Sequence, residues 1–138
     1  MSNAMDVKQV VVPLDAASWA GDNVQQRILR APNAEDGGGL TIVSAYAVNE
    51  AATGAGGTAF SLSLHNYGTA GTAIKAVGGT VAAPLGGTAD PFEAGVPKAF
   101  VLSNAYLAAG EWLVLDKQET NSSDPTRGVV VIDYLLGK

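Results

Sequence analysis

Short runs in which apolar and polar residues alternate recur along the chain, and glycine-rich segments separate them. In TAFSLSLHNY, the side chains of Phe60, Leu62 and Leu64 share one parity, whereas two serines and His65 share the other. Successive side chains of a strand point to opposite faces, so this period of two indicates a half-buried strand. We expect the three apolar residues to face the core and His65 to be exposed.

Seven further segments carry the strand signature of alternating or β-branched residues bounded by turn residues. They are residues 7–14, 24–31, 40–49, 72–83, 98–103, 111–119 and 127–136. A single helical turn is predicted in SNAYLAAG, where Ser103 would cap its start and Gly110 its end. Eight strands with almost no helix predict an all-β fold, namely an eight-stranded antiparallel β-sandwich that is jelly-roll-like.

A length of 138 residues is that of one compact domain. We interpret residues 1–4 as a cloning remnant, which leaves residues 5–138 as a single β-sandwich domain. No apolar run approaches the roughly 18 residues of a membrane span, so a soluble chain without a signal peptide is expected. The alternation predicts a core of Phe60, Leu62, Leu64, Phe100, Leu102, Leu113, Leu115, Val130 and Ile132.

Several strands are apolar on both faces, most clearly the segment 127–136. If Val130 and Ile132 face the core, the other face is apolar as well and is interrupted only by Asp133. A second apolar face needs cover from long loops or from a neighbouring subunit, because monomers rarely expose large apolar patches. The second explanation predicts a homo-oligomer whose contact includes Val129, Val131, Leu135 and Tyr46.

Charge is sparse in this chain and mostly negative. Charged residues make up 15% of it, against roughly 25% in ordinary soluble proteins, which favours a surface that is partly covered by further copies. The formal net charge of -5 gives no basic footprint for nucleic acid or for an anionic membrane. Neither is expected as a partner.

Few residues suggest a cofactor or a metal site. The chain has no cysteine and His65 is its only histidine. The run GAGGTA at residues 54–59 matches a dinucleotide fingerprint formally, but a strand follows it where a helix N-terminus would be needed for the pyrophosphate. We therefore expect no cofactor and no metal. If a divalent cation did bind, the loop carboxylates of Asp36, Asp90 and Asp124 would be its first candidate ligands.

The segment LAAGEWLVLDKQE contains the two carboxylates that most resemble an acid/base pair. On a regular strand, Glu111 and Asp116 would point to opposite faces and lie about 16 Å apart. Glycosidase carboxylates lie within about 5 to 9.5 Å of each other. We therefore predict that the two do not act together, that Trp112 begins the buried stretch, and that the chain is not an enzyme.

Three segments carry a resemblance to a known group of proteins. RAP at residues 30–32, NYGTAGT at 66–72 and LAAGEWL at 107–113 follow a pattern that resembles small β-sandwich virion structural proteins of tailed bacteriophages, of the capsid-decoration or head-fibre type. The resemblance covers most of residues 24–136. Glu111 stands where Asp is expected, and no flanking fibre shaft is present.

The resemblance implies a jelly-roll-like fold and self-association, with a trimer favoured. It also implies a location in the virion, a capsid or tail protein as a further partner, and attachment without an active site. Two alternatives remain open. One is a carbohydrate-binding β-sandwich module that uses the aromatic residues Trp19, Tyr46, Tyr67, Tyr106 and Trp112, although aromatics are only 7% of the chain. The other is a small β-sandwich hydrolase whose carboxylates converge from different strands.

Overall fold

The computed structural model describes residues 6–15, 23–52, 59–87, 91–120 and 127–137. Within these ranges the chain has nine strands and one short 3-10 turn, η1 (Ala34–Asp36), and no helix long and apolar enough to cross a membrane. The strands are β1 (Lys8–Asp15), β2 (Asn23–Arg30), β3 (Leu40–Asn49), β4 (Ala59–Asn66), β5 (Thr80–Gly86), β6 (Lys98–Ala99), β7 (Tyr106–Leu107), β8 (Trp112–Thr120) and β9 (Arg127–Leu136).

The strands form two antiparallel sheets. The five-stranded sheet has the order β1-β9-β3-β6, with β7 also paired to β3, and the four-stranded sheet has the order β2-β8-β4-β5. The first four strands alternate between the two sheets, and β8 and β9 do so again. If β6 and β7 are counted as one interrupted strand, this is the eight-stranded order of a jelly roll. The predicted fold class is confirmed, and the sheets are open rather than closed into a barrel.

The core lies between the two sheets and follows the predicted alternation. Eight of the nine predicted core residues are buried, and Leu102 is half-buried and packs against the others. Phe60 stacks on Phe92 with a ring-centroid distance of 5.1 Å. Val130 and Ile132 of β9 lie opposite Ala47 and Ala45 of β3, and this pairing places the intervening residues of β9 on the outer face of the five-stranded sheet.

The predicted strand at residues 72–83 is confirmed only from Thr80, where β5 begins. Residues 67–79 form a loop, here called the cover loop, which makes two backbone hydrogen bonds with Asn66. The Lys75 N–H donates to the Asn66 carbonyl at 2.9 Å, and the Asn66 N–H donates to the Gly79 carbonyl at 2.7 Å. These bonds use backbone groups that a strand would need for its ladder, so residues 72–79 fold back instead of extending.

The predicted strand at residues 98–103 is shortened to β6, because the chain there passes from one sheet to the other. Ala99 pairs with Tyr46 in the five-stranded sheet, whereas Leu102 bridges to Ala82 of the four-stranded sheet. The predicted helical turn at residues 103–110 is wrong. Its middle is β7, and the Ser103 hydroxyl donates to the Thr80 carbonyl at 3.2 Å instead of capping a helix.

Candidate functional site

The outer face of the four-stranded sheet carries an open polar groove beneath the cover loop. The groove has a volume of about 580 Å³, within the range of roughly 300 to 1,000 Å³ that is usual for small-ligand sites. Its floor is Val114, in the central strand β8, whose side chain has no solvent exposure. Its lining residues are Gln25, Gln26, Arg27, Tyr67, Gly71, Thr72 and Val114.

Gly71 allows the cover loop to lie directly on the sheet. Its φ is +69°, a left-handed conformation that favours glycine. A Cβ atom at this position would lie 2.8 Å from Cδ1 of Trp112 and 3.1 Å from Nε of Arg27. The Gly71 carbonyl accepts a hydrogen bond from Arg27 Nε at 2.9 Å. The glycine therefore allows both the close approach and the contact that holds Arg27.

Trp112 contacts two arginines on the outer face of the four-stranded sheet. The guanidinium carbon of Arg27 is 5.6 Å from the centroid of the indole ring, and that of Arg30 is 6.0 Å away. Both distances allow a cation-π attraction. Arg30 also donates to the side chain of Asn33 at 2.8 Å. The prediction that Trp112 is buried in the core is wrong: Leu113 and Leu115 face the core, so the period of two places Trp112 on the outer face.

A buried carboxylate fixes the aromatic wall of the groove. Asp116 accepts a hydrogen bond from the Tyr67 hydroxyl at 3.1 Å through Oδ1, and its Oδ2 contacts Nδ1 of His65. The tautomer of His65 that carries its proton on Nδ1 donates to this oxygen. Burial, the charge of Asp116 and the hydrogen bond from the tyrosine hydroxyl to Asp116 raise the pKa of Tyr67 to about 12. Tyr67 is therefore neutral at physiological pH. His65 is only 16% exposed, so the prediction of an exposed histidine is wrong.

Glu111 holds a second, separate cluster at the end of the sandwich. Its carboxylate accepts hydrogen bonds from Asn66 Nδ2 and from the Ala108 N–H, both at 2.8 Å, and pairs with Lys75 Nζ at 2.8 Å. Burial raises the pKa of Glu111, but these donors outweigh it and hold the pKa below its ordinary value. Glu111 and Asp116 thus bind different partners, and the expectation that they do not act together stays a prediction.

The three segments that carry the sequence resemblance meet next to the Glu111 cluster and the cover loop. The Ala31 N–H of the first segment donates to the Glu111 carbonyl at 2.8 Å, and the Gly110 N–H donates back to Ala31 at 3.1 Å. The Trp112 N–H of the third segment donates to the Gly68 carbonyl of the second at 3.0 Å. Turn residues in sequence therefore build the frame of one site in space, and no spacing in the sequence shows this convergence.

The outer face of the five-stranded sheet carries a row of apolar side chains. The register places Val11 opposite Val131 and Tyr46 opposite Val131 from the other side, while Val48 lies opposite Val129. These five residues are called the apolar band. Of the predicted contact residues, Val129, Val131 and Tyr46 belong to it, and Leu135 lies further along the same face, opposite Thr41. Among the predicted contact residues, Val131 is already buried, and Tyr46, Val129 and Leu135 are half-buried. Val11 is 50% exposed. Their role in a subunit contact stays a prediction.

Some predicted features lie outside the described residues, namely Trp19, most of GAGGTA at 54–58, Asp90 and Asp124. Asp36 lies exposed in the 3-10 turn. In the part of the chain that the structure describes, no three histidine, aspartate or glutamate side chains converge as metal ligands would. Comparison with protein families, curated proteins and solved structures finds no match to this chain. Its function is therefore inferred from the two outer faces.

Proposed function

We propose that the protein is a non-enzymatic structural protein that assembles with further copies of itself through the apolar band. The resemblance supports an accessory role in a virion, of the capsid-decoration or head-fibre type. The observation that carries the proposal is the contiguity of the band: three neighbouring strands contribute apolar side chains to one outer face. Jelly rolls are also a frequent architecture of viral capsid proteins.

The surroundings of the band suit a second copy of the same chain. On β9, Arg127 and Asp133 share the parity of Val129 and Val131, so they lie on the same face at opposite ends of the band. The Arg127 side chain is 80% exposed. If two bands pack antiparallel, Arg127 of one copy faces Asp133 of the other, and the pair repeats by symmetry. Such a contact is self-complementary, as a two-fold interface requires.

A shallow apolar depression lies at one end of the band. It has a volume of about 260 Å³ and is lined by Val48, Glu50, Arg127, Gly128 and Val129. A side chain of the second copy can fill it and exclude water. Burial at about 25 cal/mol per Å² supports a standard interface of roughly 1,600 Å², although the entropy of association offsets much of that gain.

Light scattering coupled to size exclusion tests the assembly. We expect the wild-type mass to be a multiple of 14.0 kDa at micromolar concentration, and a mass of two chains would favour the two-fold pair over the trimer that the resemblance implies. Val11→Asp should give single chains with an unchanged circular dichroism spectrum, because Val11 is half exposed in the subunit. Val77→Asp is the matched control, since Val77 is 83% exposed on the cover loop and should stay assembled.

A single-chain mass for the wild type, or an assembled Val11→Asp variant, would contradict this use of the band.

The virion role is tested separately. A capsid or portal gene beside the gene for this chain supports it, and recovery of the chain only outside purified virions argues against it.

A further inference from the structure

The groove on the four-stranded sheet holds a guanidinium in a fixed position. Arg27 is anchored twice, by the hydrogen bond from its Nε to the Gly71 carbonyl and by its stacking on Trp112. Neither contact uses the two terminal amino groups, for which no protein acceptor is found among the described residues. An arginine fixed in this way offers a planar pair of donors that matches a carboxylate, at little further cost in side-chain entropy.

The local charge of this face is positive although the chain as a whole carries -5. Its two buried acids already have partners: both oxygens of Asp116 bind His65 and Tyr67, and Glu111 pairs with Lys75. Among the described residues, Arg27 and Arg30 have no carboxylate partner. The groove therefore favours an anionic group beside Arg27.

The other lining groups suit the hydroxyls and ring of a sugar. Gln25 and Gln26 provide amides that both donate and accept, and Thr72 provides a hydroxyl. Because Asp116 holds the hydroxyl of Tyr67, the orientation of the tyrosine ring is fixed where it lines the groove. Polar and apolar atoms both line the groove, as the hydroxyls and the ring faces of a sugar require, and its open shape admits the end of a chain.

We infer that this groove binds a saccharide that carries a carboxylate, such as a uronic or sialic acid. Arg27 pairs with the carboxylate, Tyr67 packs against the ring, and Gln25 and Thr72 bind hydroxyls. The site lies on the sheet opposite the apolar band, so it stands whether or not the chain self-assembles. In an assembly joined through the bands, each copy would keep its groove open to solvent, which would add avidity for a repeating polysaccharide.

Titration of the isotope-labelled full chain, followed by NMR, tests the inference. The probes are glucuronic acid, N-acetylneuraminic acid, neutral glucose and sodium acetate. We expect saturable shifts of the Gly71 and Thr72 amides with at least one of the two acidic sugars, and an affinity at least about tenfold weaker for glucose and for acetate. No shift up to about 50 mM of either acidic sugar would overturn the proposal. Equal affinity for glucose would refute the role of the carboxylate, and equal affinity for acetate would reduce the groove to an anion site.

Variants locate the binding site. Arg27→Gln should weaken binding of the acidic sugar on the order of 10- to 100-fold, because a charge-assisted pair is lost. Arg27→Lys retains the charge without the planar pair of donors, so its affinity should lie between those of the wild type and of Arg27→Gln. Lys8→Gln removes an exposed positive charge from the five-stranded sheet and should leave the affinity unchanged. Because Arg27 also anchors the cover loop, each variant is checked by its melting temperature. Unchanged affinity in a folded Arg27→Gln variant would overturn the assignment.

Discussion

The two outer faces of the sandwich are covered in different ways. At the centre of the four-stranded sheet, Val114 is fully buried because the cover loop lies across it. At the centre of the five-stranded sheet, Val131 is buried mainly among its neighbours in the sheet, and Val11 beside it is half exposed. Each of these two residues is a valine in an inner strand of its sheet. A loop of the same chain covers the centre of the first face and leaves a groove beside it, whereas no segment among the described residues covers the apolar band on the second.

The hydrogen bonds of the two faces also differ in how far they are shielded from water. On the four-stranded sheet, Asp116 is buried and both of its oxygens have partners. On the five-stranded sheet, Asp133 also accepts two hydrogen bonds, from Gln9 at 2.9 Å and Ser44 at 3.0 Å, but these groups are exposed. Water can replace the partners of Asp133 and cannot replace those of Asp116. The contacts of the groove therefore stabilise the fold more than those around the band.

Replacement of each aspartate by alanine compares the two faces most directly and should give the largest effect. Asp116→Ala leaves the Tyr67 hydroxyl and the His65 imidazole without their acceptor, so we expect the free energy of unfolding to fall by about 2 to 4 kcal/mol. Asp133→Ala should cost less than about 1 kcal/mol. Urea denaturation followed by circular dichroism measures both. Equal losses in the two variants would show that the faces do not differ in this way.

Shortening the central valines should give an intermediate effect. Val114→Ala and Val131→Ala each remove buried apolar volume and should cost about 1 to 2 kcal/mol. The loss in Val114→Ala should be independent of protein concentration, because the subunit itself covers that residue. The loss in Val131→Ala should grow with concentration if the band is a subunit contact. Melting curves at two concentrations about a hundredfold apart make the comparison, and parallel behaviour of the two variants would argue against the contact.

Acid should produce the smallest of these effects, through Glu111. Its pKa is lowered in the folded protein, whereas the pKa of a glutamate in the unfolded chain is about 4.3. The stabilisation is therefore complete above the unfolded pKa and is lost as the pH falls through the folded pKa. We expect wild-type stability to decrease below about pH 4, and Glu111→Gln to flatten that decrease while costing on the order of 1 kcal/mol at neutral pH.

Glu50→Gln is the matched control for this acid dependence, because Glu50 pairs with Arg127 on the surface. Its pH profile should follow that of the wild type. An identical profile for the Glu111→Gln variant would show that the cluster of Glu111, Lys75 and Asn66 does not cause the acid sensitivity.

The period of two predicted the sandwich because burial on one face of a strand is a local and repeated requirement. It placed β3, β4 and β9 within a residue or so of their ends and found the residues of the core. It failed where backbone hydrogen bonds leave the ladder, as in the cover loop. It also failed at Trp112, where the apolar type of the side chain was given more weight than the parity set by Leu113 and Leu115.

The candidate site was missed for a different reason. Arg27, Tyr67 and Asp116 are far apart in the chain, and each is ordinary in its own segment. The positive-φ glycine at position 71 brings the cover loop against Trp112 and Arg27, and its place in the sequence does not show this contact. A sign of the site was present in the three segments of the resemblance, which meet around it.

The sequence by itself determined the all-β class, the two layers and the apolar character of both faces of β9, because each follows from the order of residues along one strand. Only the tertiary structure decided which outer face the chain covers for itself and which charged groups become partners. Those outcomes depend on which strands become neighbours and on where a loop folds back. Neighbours are chosen by the packing of the whole sandwich, since no single segment can bury its apolar face alone.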